Sequence, residues 1–218
     1  MTGADGAVLR VQVLGPVRAW LGDGEVELGS AQPRAVLAVL ALAEGKPVAR
    51  DALIDAVWDS PTDKADTALY SYISRLRSVL EPGRRSRAPG ETLVSAGSGY
   101  LLRVDPGQVD ATAFARQIAA ARKAKSAGDL AAAAALIEQA LGLWQGPALA
   151  GITSLWADAE RAGLEEARQA AVEEHAEIKL EMGGHAEMTA ALAGLVRKYP
   201  FREKLRGLIE GDFSWAAR

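Results

Sequence analysis

Residues 64–80 read KADTALYSYISRLRSVL, and the apolar spacing of this stretch decides how its neighbours are read. Ala65, Leu69, Ile73, Leu76 and Leu80, with Tyr72 beside Ile73, recur at intervals of three and four and form one helical stripe. The opposite face carries Lys64, Thr67, Tyr70, Ser71, Ser74, Arg77 and Ser78, with Arg75 on the flank. No acid lies between Thr67 and Leu80, so this face is short, hydroxyl-rich and cationic. A duplex major groove admits such a helix, and Ser, Thr and Arg are side chains that reach base edges. Polar outer faces are also the rule for ordinary surface helices, so the elements on either side must choose between the two readings.

Downstream, EPGRRSRAPG is a loop carrying Arg84, Arg85 and Arg87. Residues 92–95 and 100–104 then read as two strands joined through Gly97-Ser98-Gly99. Upstream, residues 50–58 give a helix with Leu53, Ile54, Val57 and Trp58 as its apolar set, and DSPTD makes a polar turn into the main helix. Before it, residues 31–43 form another helix, with Ser30 as N-cap, Pro33 in the first turn and Gly45 as the stop. The chain opens with strands at 8–14, 17–21 and 25–28, turned by Gly15-Pro16 and Gly22-Asp23-Gly24. The order β-β-β-α-α-α-β-β, with an exposed cationic third helix and a following hairpin, is a winged helix arrangement.

Beyond Asp105-Pro106-Gly107 the pattern turns wholly helical. Asp110 reads as an N-cap for a helix over 111–127, followed by helices over 130–144 and 155–182. Two more are expected over 185–199 and from Phe201. Leu136, Ile137, Leu141 and Trp144 lie on the packing side of the second of these helices. Alanine-rich helix pairs of this size point to tetratricopeptide-like stacking. The expected fold is therefore an α+β winged helix-turn-helix domain, residues 1–104, followed by an all-α tetratricopeptide-like domain, residues 105–218.

Composition sets bounds on function. The chain has 218 residues, 49% hydrophobic and 24% charged, which suits a protein with a buried core. It has no cysteine, so disulfides, cysteine metal sites and thiol nucleophiles are excluded. No signal-peptide pattern and no apolar run of membrane-spanning length is present, so a cytoplasmic location without membrane contact is expected. The net charge of −3 does not favour a polyanion, but its distribution does. Residues 1–63 hold 5 Lys/Arg and 9 Asp/Glu, residues 64–104 hold 7 and 3, and residues 105–218 hold 13 and 16. Positive charge is concentrated around the decisive helix, and a local patch matters more than the total.

Catalysis finds no support. His175 and His185 are the only imidazoles, without H-E-x-x-H or a Cys/His cluster, and His175 reads as part of a solvated helix face. The glycines around Ser98 lack the P-loop ending and read as a hairpin turn. Glu165/Glu166 and Glu173/Glu174 read as exposed helix charge. No enzyme activity and no cofactor are expected.

Several stretches together carry a resemblance: VLGPV, AQPRAVLAVLAL, RDALIDAVW, YSYISRLRSVL and the hairpin ending GYLLRV look like an OmpR-type winged helix. The continuation through VDATAF, LWQGPALAG and YPFREKLRGLI resembles the SARP family of actinobacterial transcription activators, with its bacterial transcriptional activation domain. That resemblance implies an activator that binds direct repeats near promoters as a homodimer on DNA. It also implies recruitment of RNA polymerase holoenzyme and control of secondary-metabolite (antibiotic) biosynthesis genes. It places Thr67, Tyr70, Ser71, Ser74 and Ser78 toward the groove and lets Arg75 and Arg77 reach bases or phosphates. Lys64, Arg84, Arg85, Arg87 and Ser98 are then phosphate contacts, joined by Arg34 near the first helix N-terminus. Asp59, Ser60, Thr62 and Asp63 are the expected polymerase-facing turn. Two departures stand out. SAGSGY lacks the Arg that such wings often carry before the glycine turn, and Tyr70 and Tyr72 replace residues commonly aliphatic or histidine. Two other readings remain: a helical-repeat interaction scaffold whose winged helix no longer binds DNA, and the N-terminal part of a larger multidomain regulator.

Overall fold

The computed structural model describes residues 8–60, 63–83, 85 and 89–183, with positions 194, 197, 203 and 207. The expected helices over 185–199 and from Phe201 lie outside the described residues, as do Thr62, Arg84 and Arg87.

The chain begins with a three-stranded antiparallel sheet of β1 (Leu9–Gln12), β2 (Arg18–Leu21) and β3 (Gly24–Glu25). Alternation puts Leu9, Val11 and Ala19 on the buried side. Helix α1 (Ala31–Leu42) follows and is buried along most of its length, from Ala35 to Ala41. Ser30 does not cap it; the hydroxyl instead donates to Gln32 Oε1 at 3.4 Å. The reason is local: Pro33 stands where an N-cap oxygen would find its N3 amide, and proline has none to offer.

A strand of two residues that has no sequence period, β4 (Val48–Ala49), leads into α2 (Arg50–Val57). After α3 (Ala65–Leu80) come β5 (Leu93–Ala96) and β6 (Gly99–Leu102), and the second sheet has the order β4-β6-β5. The β4–β6 pairing depends on Gly99: a Cβ there would collide with the Val48 carbonyl. Ala65, Leu69, Ile73, Leu76 and Leu80 are the buried residues of α3, the same five that form its sequence stripe.

A 3₁₀ turn (Pro106–Gln108) leads to α4 (Asp110–Ser126), α5 (Leu130–Gly142) and α6 (Leu155–Glu181). Two compact units result. The first comprises residues through Ala113 together with Trp144–Glu165, and the second Phe114–Leu143 with the residues from Glu166 onward.

In the first unit, residues 145–150 lie along the first sheet. Gln145, Leu149 and Ala150 donate their N–H groups to the carbonyls of Leu14, Val13 and Gly15 at 2.7, 2.9 and 3.0 Å. Arg161 fastens the end of this loop by donating to the carbonyls of Ala148, Leu149 and Ile152. Asp110 is not an N-cap. It is the first residue of α4, and its carboxylate accepts the amides of Val13, Leu14 and Ala111 at 2.8–3.0 Å. Burial outweighs these donors and pushes its pKa up to about 6.

The second unit packs Phe114, Ile118, Ala121, Ala133, Ala134, Ile137, Ala140, Ala171, Ala176 and Ile178 in its interior. Asp129 caps α5 by accepting the Ala132 amide at 2.9 Å. Three acidic or imidazole positions read as solvated take other roles. Glu173 is 4% exposed, Glu174 pairs with Arg122 at 3.0 Å, and His175 is half-buried with Nε2 3.1 Å from Glu138 Oε1. Burial lowers the His175 pKa against the raising influence of Glu138. Helix charge on α6 is thus partly interior charge, because the neighbouring helices cover it.

Candidate nucleic-acid interface

The outer side of α3 is built by the burial of its inner stripe. With Leu69, Ile73 and Leu76 fully enclosed, Lys64, Thr67, Tyr70, Ser71, Ser74, Arg75 and Ser78 are exposed by geometry alone. Ser71 donates its hydroxyl to the Thr67 carbonyl at 3.1 Å, and Ser78 to the Ser74 carbonyl at 3.0 Å. With its hydrogen turned into the helix, each hydroxyl presents an oxygen that accepts outward.

The two arginines of α3 diverge. Arg75 lies over Gly29, whose backbone at φ +89° brings the main chain so close that a Cβ would sit 2.7 Å from the guanidinium carbon. Arg77 goes the other way, to the hairpin. Its Nε donates to the Leu93 carbonyl at 2.8 Å, Nη2 donates to Ser95 Oγ at 2.8 Å, and the guanidinium lies 5.8 Å from the Tyr100 ring centroid. The resemblance lets Arg77 reach bases or phosphates; in the structure its guanidinium is engaged by the β5–β6 hairpin. The wheel angle was right, but a carbonyl and a hydroxyl of the hairpin intercept the side chain.

Arg50, overlooked in the sequence, lies on the same flank. Its backbone N–H donates to the Ser98 carbonyl in the β5–β6 turn at 3.2 Å. Its Nε is 3.0 Å from Asp66 Oδ1, and Nη1 donates to the Tyr70 hydroxyl oxygen at 3.4 Å. The Tyr70 hydrogen bond, then Asp66, raises the Arg50 pKa. Tyr100 is pushed up mainly by burial, and the fields of Tyr70, Arg77, Arg50 and Asp66 all reach it. One flank therefore gathers Arg50, Asp66, Tyr70, Arg77, Ser95 and Tyr100. The sequence signal for Arg50 is a basic residue opening a helix ahead of an acid in the next helix's first turn.

The remaining expected contacts are dispersed. Ser98 is exposed in the turn and Arg85 is exposed after α3. Arg34 is half-exposed, 3.8 Å from Glu27, on the first-sheet side of α1. Ser60 and Asp63 are exposed, whereas Asp59 accepts the amide of Leu155, the first residue of α6, at 2.8 Å. Asp59 thus serves as an intramolecular cap. Trp58, just before that stretch, stacks on Tyr72 with centroids 5.9 Å apart. Among the described residues, no group of three His, Cys, Asp or Glu side chains is placed to hold a metal, and no helix is long and apolar enough to cross a membrane.

Comparison with known proteins finds two families on successive stretches of the chain. A family described as transcriptional regulatory protein, C terminal, matches residues 23–102, and the bacterial transcriptional activator domain matches residues 109–209. Regulatory protein DnrI of Streptomyces peucetius is 34% identical over 202 residues, covering 90% of this chain and 74% of that protein. The chain belongs to the SARP family of transcription activators. Regulatory protein AfsR of Streptomyces griseus is 41% identical over 202 residues, which cover 92% of this chain and 20% of AfsR. The chain therefore spans about a fifth of that family member's length. The solved structure of Mycobacterium tuberculosis EmbR, in complex with a low affinity phosphopeptide, superposes with a TM-score of 0.90 at 29% identity. That match covers 97% of this chain and 56% of EmbR. The α+β winged-helix region followed by an all-helical region is thus the family's architecture in this chain.

Proposed function

We propose that this SARP family member activates transcription by binding direct repeats near promoters as a homodimer on DNA and recruiting RNA polymerase holoenzyme. Its targets would be secondary-metabolite (antibiotic) biosynthesis genes, and it would act in the cytoplasm without catalysing a reaction or carrying a cofactor. The division of labour is a DNA-binding domain over residues 1–104 and an activation domain over residues 105–218. The observation that carries this reading is the outer side of α3, an acceptor-rich, acid-poor surface beside a hairpin that Arg77 ties to the helix.

Thr67, Tyr70, Ser71, Ser74 and Ser78 would meet base edges or sugars, since side chains of this length reach only what the helix itself enters. Lys64, Arg75, Arg84, Arg85, Arg87 and Ser98 would contact the phosphate backbone, with Arg34 a more distant member. Arg77 acts as a positioning residue that fixes the wing. The polymerase-facing turn would present Ser60, Thr62 and Asp63, with Asp59 holding its shape from below.

The test is a salt series of binding by the full chain to a duplex from its own promoter region and to a random duplex of equal length. The specific complex should bind more tightly, and log K should fall linearly with log salt at about 0.9 per phosphate neutralised. Equal, weak binding to both duplexes would refute the reading.

A further inference from the structure

Arg50 is the point where the wing turn and the recognition surface meet. Its amide holds the Ser98 carbonyl at 3.2 Å, while its guanidinium spans Asp66 at 3.0 Å and Tyr70 at 3.4 Å. Asp66 and Tyr70 are one helical turn apart, so one planar guanidinium lies across both. Tyr70 is 55% exposed, and among the described residues it is the large apolar side chain of α3 most open to solvent. An exposed tyrosine ordinarily samples several rotamers; one whose hydroxyl is held by a neighbouring helix has already lost much of that freedom.

The charges favour the same reading. Asp66 stands 55% exposed in the first turn of the helix that would enter the groove, where phosphates would repel it. Arg50 neutralises it, and an arginine so engaged is not a free cation with which to displace counterions. We infer that Arg50 is a specificity-positioning residue, which holds the Tyr70 ring in a single orientation toward the bases through an Asp66–Arg50–Tyr70 bridge. A ring so held offers an apolar face suited to a thymine methyl or a sugar. This rests on the DNA-binding reading proposed above.

The experiment selects duplexes from a random-sequence pool with the full wild-type chain, then compares the winning duplex with a scrambled one of equal length. Tyr70→Phe, which removes only an exposed hydroxyl, Arg50→Gln and their double mutant are measured on both across a salt series. Each single change should lower the ratio of selected to scrambled affinity by about fivefold, the worth of one modest hydrogen bond. The double mutant should lose no more than Arg50→Gln alone, because both changes break the same bridge. In an Asp66→Asn background, where no acid is unmasked, Arg50→Gln should leave scrambled-duplex affinity and the salt slope unchanged. If Arg50→Gln in the Asp66→Asn background weakens both duplexes alike and lowers the salt slope by about 0.9, Arg50 touches phosphate and the inference falls. Additive losses in the double mutant would overturn it as well. A wild-type chain that enriches no sequence defeats the DNA-binding reading itself, a result distinct from either of these.

Discussion

Replacing Arg77 with alanine separates a residue that reads DNA from one that builds the reader. The guanidinium makes two hydrogen bonds of 2.8 Å, to the Leu93 carbonyl and Ser95 Oγ, and lies 5.8 Å from the Tyr100 ring centroid. At a half-exposed site each hydrogen bond contributes about 1 kcal/mol, and the cation–π contact about 0.5–1 kcal/mol. The expected loss is about 2–3 kcal/mol, or about 5–10 °C in the thermal midpoint of the winged-helix unit. Lysine retains the charge but lacks the fork that supplies two directed donors, so Arg77→Lys should be destabilised nearly as much. On DNA, both variants should lose affinity for selected and random duplexes to a similar degree, because the hairpin no longer stands at a fixed place beside α3. Thermal unfolding followed by near-ultraviolet dichroism, with binding measured well below the midpoint, provides the assay. An unchanged midpoint together with selective loss of the preferred duplex would refute the clamp and return Arg77 to the groove.

Three further outcomes follow from the first unit. Asp110, with a folded pKa of about 6 against 3.8 when free, binds a proton more tightly folded than unfolded; its contribution is full below pH 4 and is lost, by about 3 kcal/mol, as pH rises through 6. Stability measured from pH 4 to 7 should show this slope in wild type but not in Asp110→Asn, and a carboxyl titration midpoint below 4 by NMR would contradict it. Asp59→Ala should cost about 1 kcal/mol and speed hydrogen exchange at the Leu155 amide, since one helix cap is removed while Ser154 still holds the Ala157 amide; loss of activation with no change in exchange would show instead that Asp59 faces a partner. Arg161→Ala leaves the carbonyls of Ala148, Leu149 and Ile152 without this donor and should cost about 2–4 kcal/mol, read as a lowered unfolding midpoint.

What could be read in advance divides by distance along the chain. The α3 stripe is a local signal: five apolar residues at helical spacing set its buried side and, by subtraction, the exposed surface. Strand β4 has no such signal, because two residues cannot show a period; it exists because Gly99 lets β6 approach Val48. Asp110 carries a misleading local one. An acid before an apolar run looks like a cap, yet its partners are amides 96 and 97 residues earlier. The partners of Arg77 and Arg50 were hidden for the same reason. A helical wheel gives the angle at which a side chain leaves its helix, but not the carbonyl, carboxylate or phenol waiting for it. Arginine is especially exposed to this error, since its length lets it leave the face on which it is drawn. The charge count for residues 64–104 thus located the basic region but overstated its free cations, since Arg77 is turned into the fold. Hydroxyl and phenol groups, rather than an array of free arginines, dominate the described outer surface of α3. A selectivity sensitive to Tyr70, with the salt slope set by cations on the flanks rather than along the helix face, is the behaviour that such a surface should have.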